Sequence, residues 1–417
     1  MLLQYHLTGG VTASEAKVLV SHSGSDGQAI KVHASDGASS TTYGPVTSSG
    51  NFAVLLLDNL AANTKYEITY EIGGVLQTER KPSFRTLPTD GSPASFRVCA
   101  TSCAGNYGAS GMWSGSGKYN ASNQRVWAEM INRNPLLTVV NGDWGYLNAP
   151  RNNYSTENWD AYKTHFLKQL EQPNQMKLWD VSPVFYVFDD HDSTGKTSYA
   201  EQSRNNPYVT PLRNFWDNMV PDYDIPGSFP SGAIYKSVMA GRTLIIGLDE
   251  RTDCDPRTGY TGDPDDKTML GDAQKSWLKN LINTTSARGI IIVSGSNWMG
   301  LGKSEGWENY PNEAQEIGTV IKNYNQSGGT CVFLEGNIHY SGLDDGTNCL
   351  YADCPRFVFS SMESEKGGAS APSQYFTHGS LGNVGMYGTL DIEDDGTNYS
   401  ITGTIWADGI PTYSMTV

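Results

Sequence analysis

The chain has 417 residues, which allows two or three domains and a large core. A formal charge of −15 leaves no basic excess to displace counterions, which excludes a nucleic-acid backbone as the main partner. Charged residues are 18% and aromatics 11%, with 45 Gly, a loop-rich extracellular profile, and no apolar run approaches the roughly 20 residues that span a bilayer. Residues 1–20 lack the basic start and apolar middle of a signal peptide, so any export signal has been removed or never existed; the expected location is secreted, periplasmic or cell-surface. The six cysteines permit up to three disulfides, and Cys349 and Cys354 sit close enough in a polar loop to pair.

Residues 1–92 read as a small all-β domain. Alternating segments such as Ala16–Val20 and Ala29–Val32 are divided by Gly/Ser/Asp turns, the pattern of a sandwich. Leu60 to Tyr66, followed by Ile68 and Tyr70, resembles the tyrosine corner of a fibronectin type III-like domain. Thr89–Pro93 is a linker by composition. A spacer without chemistry is preferred to a carbohydrate-binding module for this region. Residues 93–417 then alternate strands and helices. A strand over Ser95–Ala100 leads to Thr101-Ser102-Cys103, and a helix near Ala121–Asn132 feeds a strand ending at Asn141-Gly142-Asp143. Helix Trp159–Leu170 precedes a strand ending at Asp189-Asp190-His191-Asp192. Leu244–Leu248 runs into Asp249-Glu250-Arg251, and a helix with Asp272 as a plausible cap follows Leu270. Gly289–Val293 runs into Ser294-Gly295-Ser296-Asn297, and helix Glu313–Tyr324 feeds the strand before Glu335-Gly336-Asn337-Ile338-His339. Such repetition predicts a mainly parallel, helix-covered sheet. Gly388–Ile392 and Tyr399–Trp406 are expected as edge strands completing a two-sheet α/β sandwich.

Several strands that each stop at Asp, Asn or His suggest a metal centre, because ligands bind at the carboxyl edge of α/β sheets. Hydrolysis of a phosphate ester needs a nucleophilic hydroxide and a clamp on oxygens gaining negative charge, and two cations about 3.5–4 Å apart supply both. Asp143 is the candidate bridging carboxylate. Tyr146, three residues on, and Cys103 offer a phenolate and a thiolate; with the imidazole of His339 these suit Fe(III). Asp190 and Asn337 supply oxygens that suit Ca²⁺ or another hard divalent ion, with Zn²⁺, Mn²⁺ or Mg²⁺ as alternatives at one site. Only His165, His191, His339 and His378 lie beyond the β domain, too few for an all-imidazole dinuclear site. Asn297 is an additional ligand candidate or a plain loop residue, and Arg251 is a phosphate clamp or an internal salt bridge.

Taken in order, Ala100-Thr101-Ser102-Cys103, Gly142-Asp143-Trp144-Gly145-Tyr146, Phe188-Asp189-Asp190-His191-Asp192 and Gly336-Asn337-Ile338-His339 resemble the signature blocks of the PhoD-like alkaline phosphatase/phosphodiesterase family, within the calcineurin-like metallophosphoesterases. Leu248-Asp249-Glu250-Arg251, Met269 to Gln274 and Gly306 to Pro311 agree with it, so the likeness spans most of residues 94–345. The resemblance implies iron held by Cys103, Asp143, Tyr146 and His339, and calcium held by Asp143, Asp190 and Asn337, with Asn297 a further contributor. It implies a metal-bound hydroxide attacking phosphorus in line. His191 would contact the scissile phosphate and protonate the leaving oxygen, oriented by Asp189 or Asp192. Two positions depart from the family pattern: Asp192 stands where Glu is usual, and Asn337 where Asp is usual. The expected activity is hydrolysis of a small or polymeric phosphate ester, by a monomer. The alternatives are a relative retuned to a phospholipid, teichoic-type polymer or phosphoglycan, and a non-catalytic surface protein with a degenerate site.

Overall fold

The computed structural model describes residues 2–104, 125–144, 159–192, 209–223, 233–256, 260–299, 306–360, 362, 373–382 and 385–417. Its first strands are β1 (Leu3–Gly9), β2 (Ala16–His22), β3 (Ala29–Ser35), β4 (Ser40–Thr47), β5 (Phe52–Leu57), β6 (Lys65–Ile72), β7 (Val75–Gln77) and β8 (Ser83–Arg85). Alternating burial in β3 and β6 turns Ile30, Val32, Ile68 and Tyr70 inward, as the period of two requires. The β4-β3-β6-β7 sheet, with β8 also on β6, packs against β1-β2-β5 as a β-sandwich. The Tyr66 hydroxyl accepts the Ala61 N–H at 2.8 Å, which fixes the turn before β6 as a tyrosine corner does.

The remaining elements are β9 (Phe96–Thr101), α1 (Arg125–Ile131), β10 (Leu137–Asn141), α2 (Trp159–Leu170), α3 (Pro173–Trp179), β11 (Val184–Val187), α4 (Val209–Met219), β12 (Lys236–Ala240) and β13 (Thr243–Gly247). They continue as α5 (Gly271–Thr284), β14 (Gly289–Ser294), α6 (Pro311–Gln326), β15 (Thr330–Glu335), β16 (Ser341–Asp344), β17 (Arg356–Val358), β18 (Ser380–Leu381), β19 (Met386–Asp394), β20 (Tyr399–Ala407) and β21 (Ile410–Thr416). Two sheets stack face to face. One runs β21-β20-β19-β9-β10-β11-β1-β2-β5 and the other β12-β13-β14-β15-β17-β16-β18. Strands β9, β10 and β11 are parallel, as are β13, β14, β15 and β17. Every residue of β10 and β14 is buried, which explains why they read as unbroken apolar runs: helices cover the outer face and the second sheet covers the inner one. Val139, Val187, Ile291, Val293, Val332 and Leu334 belong to the core between the sheets. Trp127, Phe166 and Trp216, from α1, α2 and α4, pack on one outer face, and Leu278 and Ile317 from α5 and α6 on the other. The fold is thus a two-sheet α/β sandwich preceded by a β-sandwich.

Four expectations are corrected. The tail strands are not edges: β19 lies between β9 and β20, and the edge is β21, which the sequence did not announce because it is exposed along nearly its whole length. The sandwich is joined to the larger sheet, since Gly9 of β1 pairs with Val184 of β11 and Arg80 is ion-paired with Asp180. The six cysteines are buried and none is joined in a disulfide; Cys354 faces the Cys331 carbonyl at 3.0 Å, and no Cys349–Cys354 bond exists. Asp272 does not cap α5. The buried Glu313 of α6 instead braces the turn that leads into α5, accepting the Met269 N–H at 2.5 Å and the Leu270 N–H at 3.4 Å, while the Thr268 hydroxyl accepts the Gly271 N–H at 2.8 Å.

Candidate metal centre

The carboxyl ends of β9, β10 and β11 in one sheet meet those of β14 and β15 in the other, and one side chain joins them. Asn141, last residue of β10, donates its amide hydrogens to Ser294 O at 2.9 Å and Leu334 O at 3.0 Å across the sheets. Tight approach is built into the same edge. A Cβ on Gly142 would lie 2.2 Å from the Asp189 Cβ, and one on Gly336 would lie 2.5 Å from Asn141 O. Beyond the strand ends the chain turns sharply: Cys103, Asp143, Asn337 and His339 all have φ between 52° and 67°, in the left-handed region. Four non-glycine residues held there at one edge store strain, and strain of this sort concentrates at functional sites.

These turns bring donors together. Among the described residues, Asp143, Asp190 and His191 place one ligand atom each within 4.8 Å of one another, and all three are buried. The Cys103 sulfur lies 3.6 Å from Asp143 Oδ2, and His191 Nε2 lies 3.9 Å from Asp190 Oδ2. Asp143 Oδ1 accepts the His191 backbone N–H at 3.0 Å. Asn297, at the end of β14, gives its amide hydrogens to Glu335 Oε2 at 3.1 Å and Gly336 O at 3.3 Å. With the hydrogens so directed, the opposite face of that amide presents its oxygen, a hard donor.

Sequence reasoning assigned Asp189 and Asp192 to the orientation of His191, and the structure gives each other partners. Asp189 is buried against Arg251, whose Nε donates to Oδ1 at 2.7 Å, so Arg251 forms the internal salt bridge. Asp192 accepts the backbone N–H groups of Asp143 at 2.7 Å, Trp144 at 3.1 Å and Asp189 at 3.1 Å. Its short side chain thereby ties the Asp143 turn to the Asp190–His191 turn. His339 enters through its backbone N–H, which donates to Ser360 Oγ at 3.1 Å, while its imidazole is not part of the Asp143–Asp190–His191 group. Tyr146 lies outside the described residues, as does the side chain of His165. His378 is exposed beside Thr377.

Electrostatics show what the cluster requires. Burial, reinforced by Asp190 and by Cys103, pushes the Asp143 carboxyl well above the usual range. Burial also raises Asp189 well above it, with Arg251 opposing, and lifts Asp192 to about 7. Asp143, Asp189, Asp190 and Asp192 crowd together with the Arg251 guanidinium on one of them, so negative charge is in excess in a space that water cannot screen. Cations relieve that excess, and the donor set of carboxylates, imidazole, thiol and amide oxygen is one that cations accept.

Sequence reasoning did not single out four residues whose hydrogen bonds tie this edge together: Asn141, Ser102, Glu335 and Ser360. A polar residue inside a fully buried strand must find partners, and that rule was the available signal for Asn141.

The sequence model of the PhoD-like phosphatase family matches residues 109–377, more than half the chain. The chain belongs to that family. Metal dependence follows at the level of the family and of the site geometry. The PhoD-like fold extends over the whole molecule. A solved structure of PhoD superposes with a TM-score of 0.73 at 15% identity, covering 99% of this chain and 89% of that one. Purple acid phosphatase PPD1 from yellow lupin (Lupinus luteus) seeds gives 0.62 at 14% identity, with 99% and 73% covered. At such identities these likenesses establish a metallophosphoesterase fold. Among curated proteins none matches the sequence. No helix among the described residues is long and apolar enough to cross a membrane.

Proposed function

We propose that this PhoD-like chain hydrolyses phosphoric esters at two cations bound across the joint edge of its sheets. The observation that carries the reading is the buried convergence of Asp143, Asp190 and His191, with the Cys103 sulfur against Asp143. Cys103, Asp143, Tyr146 and His339 would hold iron. Asp143, Asp190 and Asn337 would hold calcium, with the Asn297 oxygen contributing. When bound, such a pair supplies a nucleophilic hydroxide and neutralises phosphoryl oxygens. The protein's part is orientation: Asp192 locks the two acidic turns, Asn141 pins both sheets, and Glu335 aims the Asn297 amide. His191, 9% exposed at the rim of the cluster, is placed to meet the ester and protonate the departing oxygen. Arg251 steadies Asp189 rather than clamping phosphate. A small or polymeric phosphate ester is the expected substrate, met in the secreted, periplasmic or cell-surface setting.

The test is elemental analysis of purified protein alongside turnover of mono-aryl and bis-aryl phosphates. Stoichiometric metal with turnover supports the reading; its absence from active protein would sink it. Asp143→Asn should cost at least about 100-fold in rate, the upper range for losing even an outer partner of a metal ligand. Asn337→Asp distinguishes a general phosphatase from a retuned relative: a rise in aryl phosphate hydrolysis assigns the restriction to the asparagine. One geometric fact favours a second role for His191, because its imidazole shares the ligand cluster with both aspartates. As a ligand, His191→Asn should lower metal content. As an acid, it should keep metal and lose rate most for poor leaving groups.

A further inference from the structure

The sulfur of Cys103 is enclosed by two hydroxyls that also hold the turn carrying Asn337 and His339. Ser102 Oγ lies 3.3 Å and Ser360 Oγ 3.2 Å from Sγ, and the two oxygens are 3.1 Å apart. Each oxygen accepts one backbone N–H at 3.1 Å, Asn337 to Ser102 and His339 to Ser360. Both serines are fully buried. A hydroxyl has one proton and two acceptor sites, so this triangle can be counted. The Ser102–Ser360 contact uses at most one of the two protons. Ser102 donates to Ser360, which leaves the Ser360 proton with the Cys103 sulfur beside it as acceptor. With a thiolate at Cys103, which has no proton to give, each contact with Sγ needs a serine O–H as its donor, and Ser360 keeps its proton for that role. Ser360 is itself fixed, since its carbonyl accepts the Ser341 hydroxyl at 3.0 Å. The arrangement pins three of the four residues strained into the left-handed region, Cys103 covalently beside Ser102 and the other two through their amides.

We propose that Ser102 and Ser360 are positioning residues that hydrogen-bond the Cys103 thiolate, set how strongly it donates to a bound cation, and hold it in register with the Asn337–His339 turn. The inference rests on the reading of Cys103 as a metal ligand. An O–H donor draws electron density from a thiolate, which lowers the energy of its sulfur lone pairs. Removing the donor raises them, so the absorption in which sulfur passes charge to a metal must move to lower energy.

The probe is cobalt(II) added to the full chain, with its thiolate-to-metal band read by absorption and its retention read by competition with a chelator. Ser102→Ala and Ser360→Ala should each shift the band to lower energy, and the double variant further. Cobalt retention should fall about 10–100-fold, as for other outer partners of ligands. Ser360→Cys, near in size and with a weaker donor, should give a smaller shift in the same direction; it keeps the test open if the alanine variant does not fold, which circular dichroism checks. A band that Cys103→Ser abolishes but that none of the serine variants moves would overturn the inference and leave the metal reading intact. No thiolate band in the unaltered protein would overturn both.

Discussion

At the scale of single residues, the site is a set of short polar side chains whose partners lie far away in sequence. Ser102 reaches Ser360 across 258 positions, and Asn141 reaches Leu334 across 193. Arg251 and Asp189 illustrate how burial decides a role. Both are nearly inaccessible, at 5% and 0% exposed, so the pair answers to the interior and not to substrate. Removing one partner of such a pair leaves an unpaired buried charge. Arg251→Gln should therefore destabilise the fold by about 3–5 kcal/mol in denaturant unfolding. A normal midpoint with a raised KM would instead return Arg251 to the substrate. What the sequence did make legible here were the residues that end apolar runs. Asp143, Asp190, Asn297 and Asn337 each follow a strand, so the strand's burial fixes where the side chain emerges. Ser102 and Ser360 were not legible, because a serine after a strand has many uses and only its neighbours show which one applies.

At the scale of elements, helix α5 shows why a local signal can mislead. Asp272 stands in its first turn, as a cap might, yet Gly271 turns the chain at φ 72°, the Thr268 hydroxyl takes the Gly271 amide, and the buried Glu313 from α6 takes the amides of Met269 and Leu270 just before the helix. A carboxylate fixed inside the core satisfies those donors without competition from water, which an exposed aspartate faces. Glu313→Ala should cost about 1–3 kcal/mol, because it strands buried donors, whereas Asp272→Ala should stay within about 0.5 kcal/mol. Thermal unfolding of the two variants side by side checks the assignment. The turn after β13 is held likewise: Gln274 of α5 accepts the Asp249 N–H at 2.9 Å and donates to the Asp249 carbonyl at 2.7 Å. The sequence blocks around Leu270–Gln274 and Asp249–Arg251 thus form one structural unit at the site's rim.

At the scale of the whole molecule, stability and the centre depend on the two sheets staying together. Arg242, in the turn between β12 and β13, donates through Nε to Asp394 at 2.9 Å, at the end of β19 in the opposite sheet. The Arg242 guanidinium holds the Asp394 carboxyl below the ordinary carboxylate range. The native state therefore releases that proton more readily than the unfolded chain does. The resulting stabilisation is complete above the ordinary range and is lost as pH falls through the lower native value. Asp394→Asn should be less stable than the unaltered chain near neutral pH, and the gap should close in acid; a gap that stays constant with pH would assign the loss to packing. Chelation acts on the same scale. Cations that bind the folded acidic cluster stabilise it by mass action, about 2.7 kcal/mol at a hundredfold excess over Kd. Removing them should lower the melting temperature, and adding them back should restore it.

The sequence by itself determined the strand–helix alternation, the two-sheet class and the carboxylates at the sheet edge. Those follow from burial and chain direction, which apolar periodicity records residue by residue. Tertiary structure alone decided that β19 is interior, that the sandwich continues the larger sheet, that the cysteines form no disulfide, and that Glu313 rather than Asp272 braces the start of α5. Each of those depends on which distant group arrives within about 3 Å, the reach of a hydrogen bond. No spacing along the chain encodes that distance, and the two serines beside Cys103 are the case on which the centre's chemistry most depends.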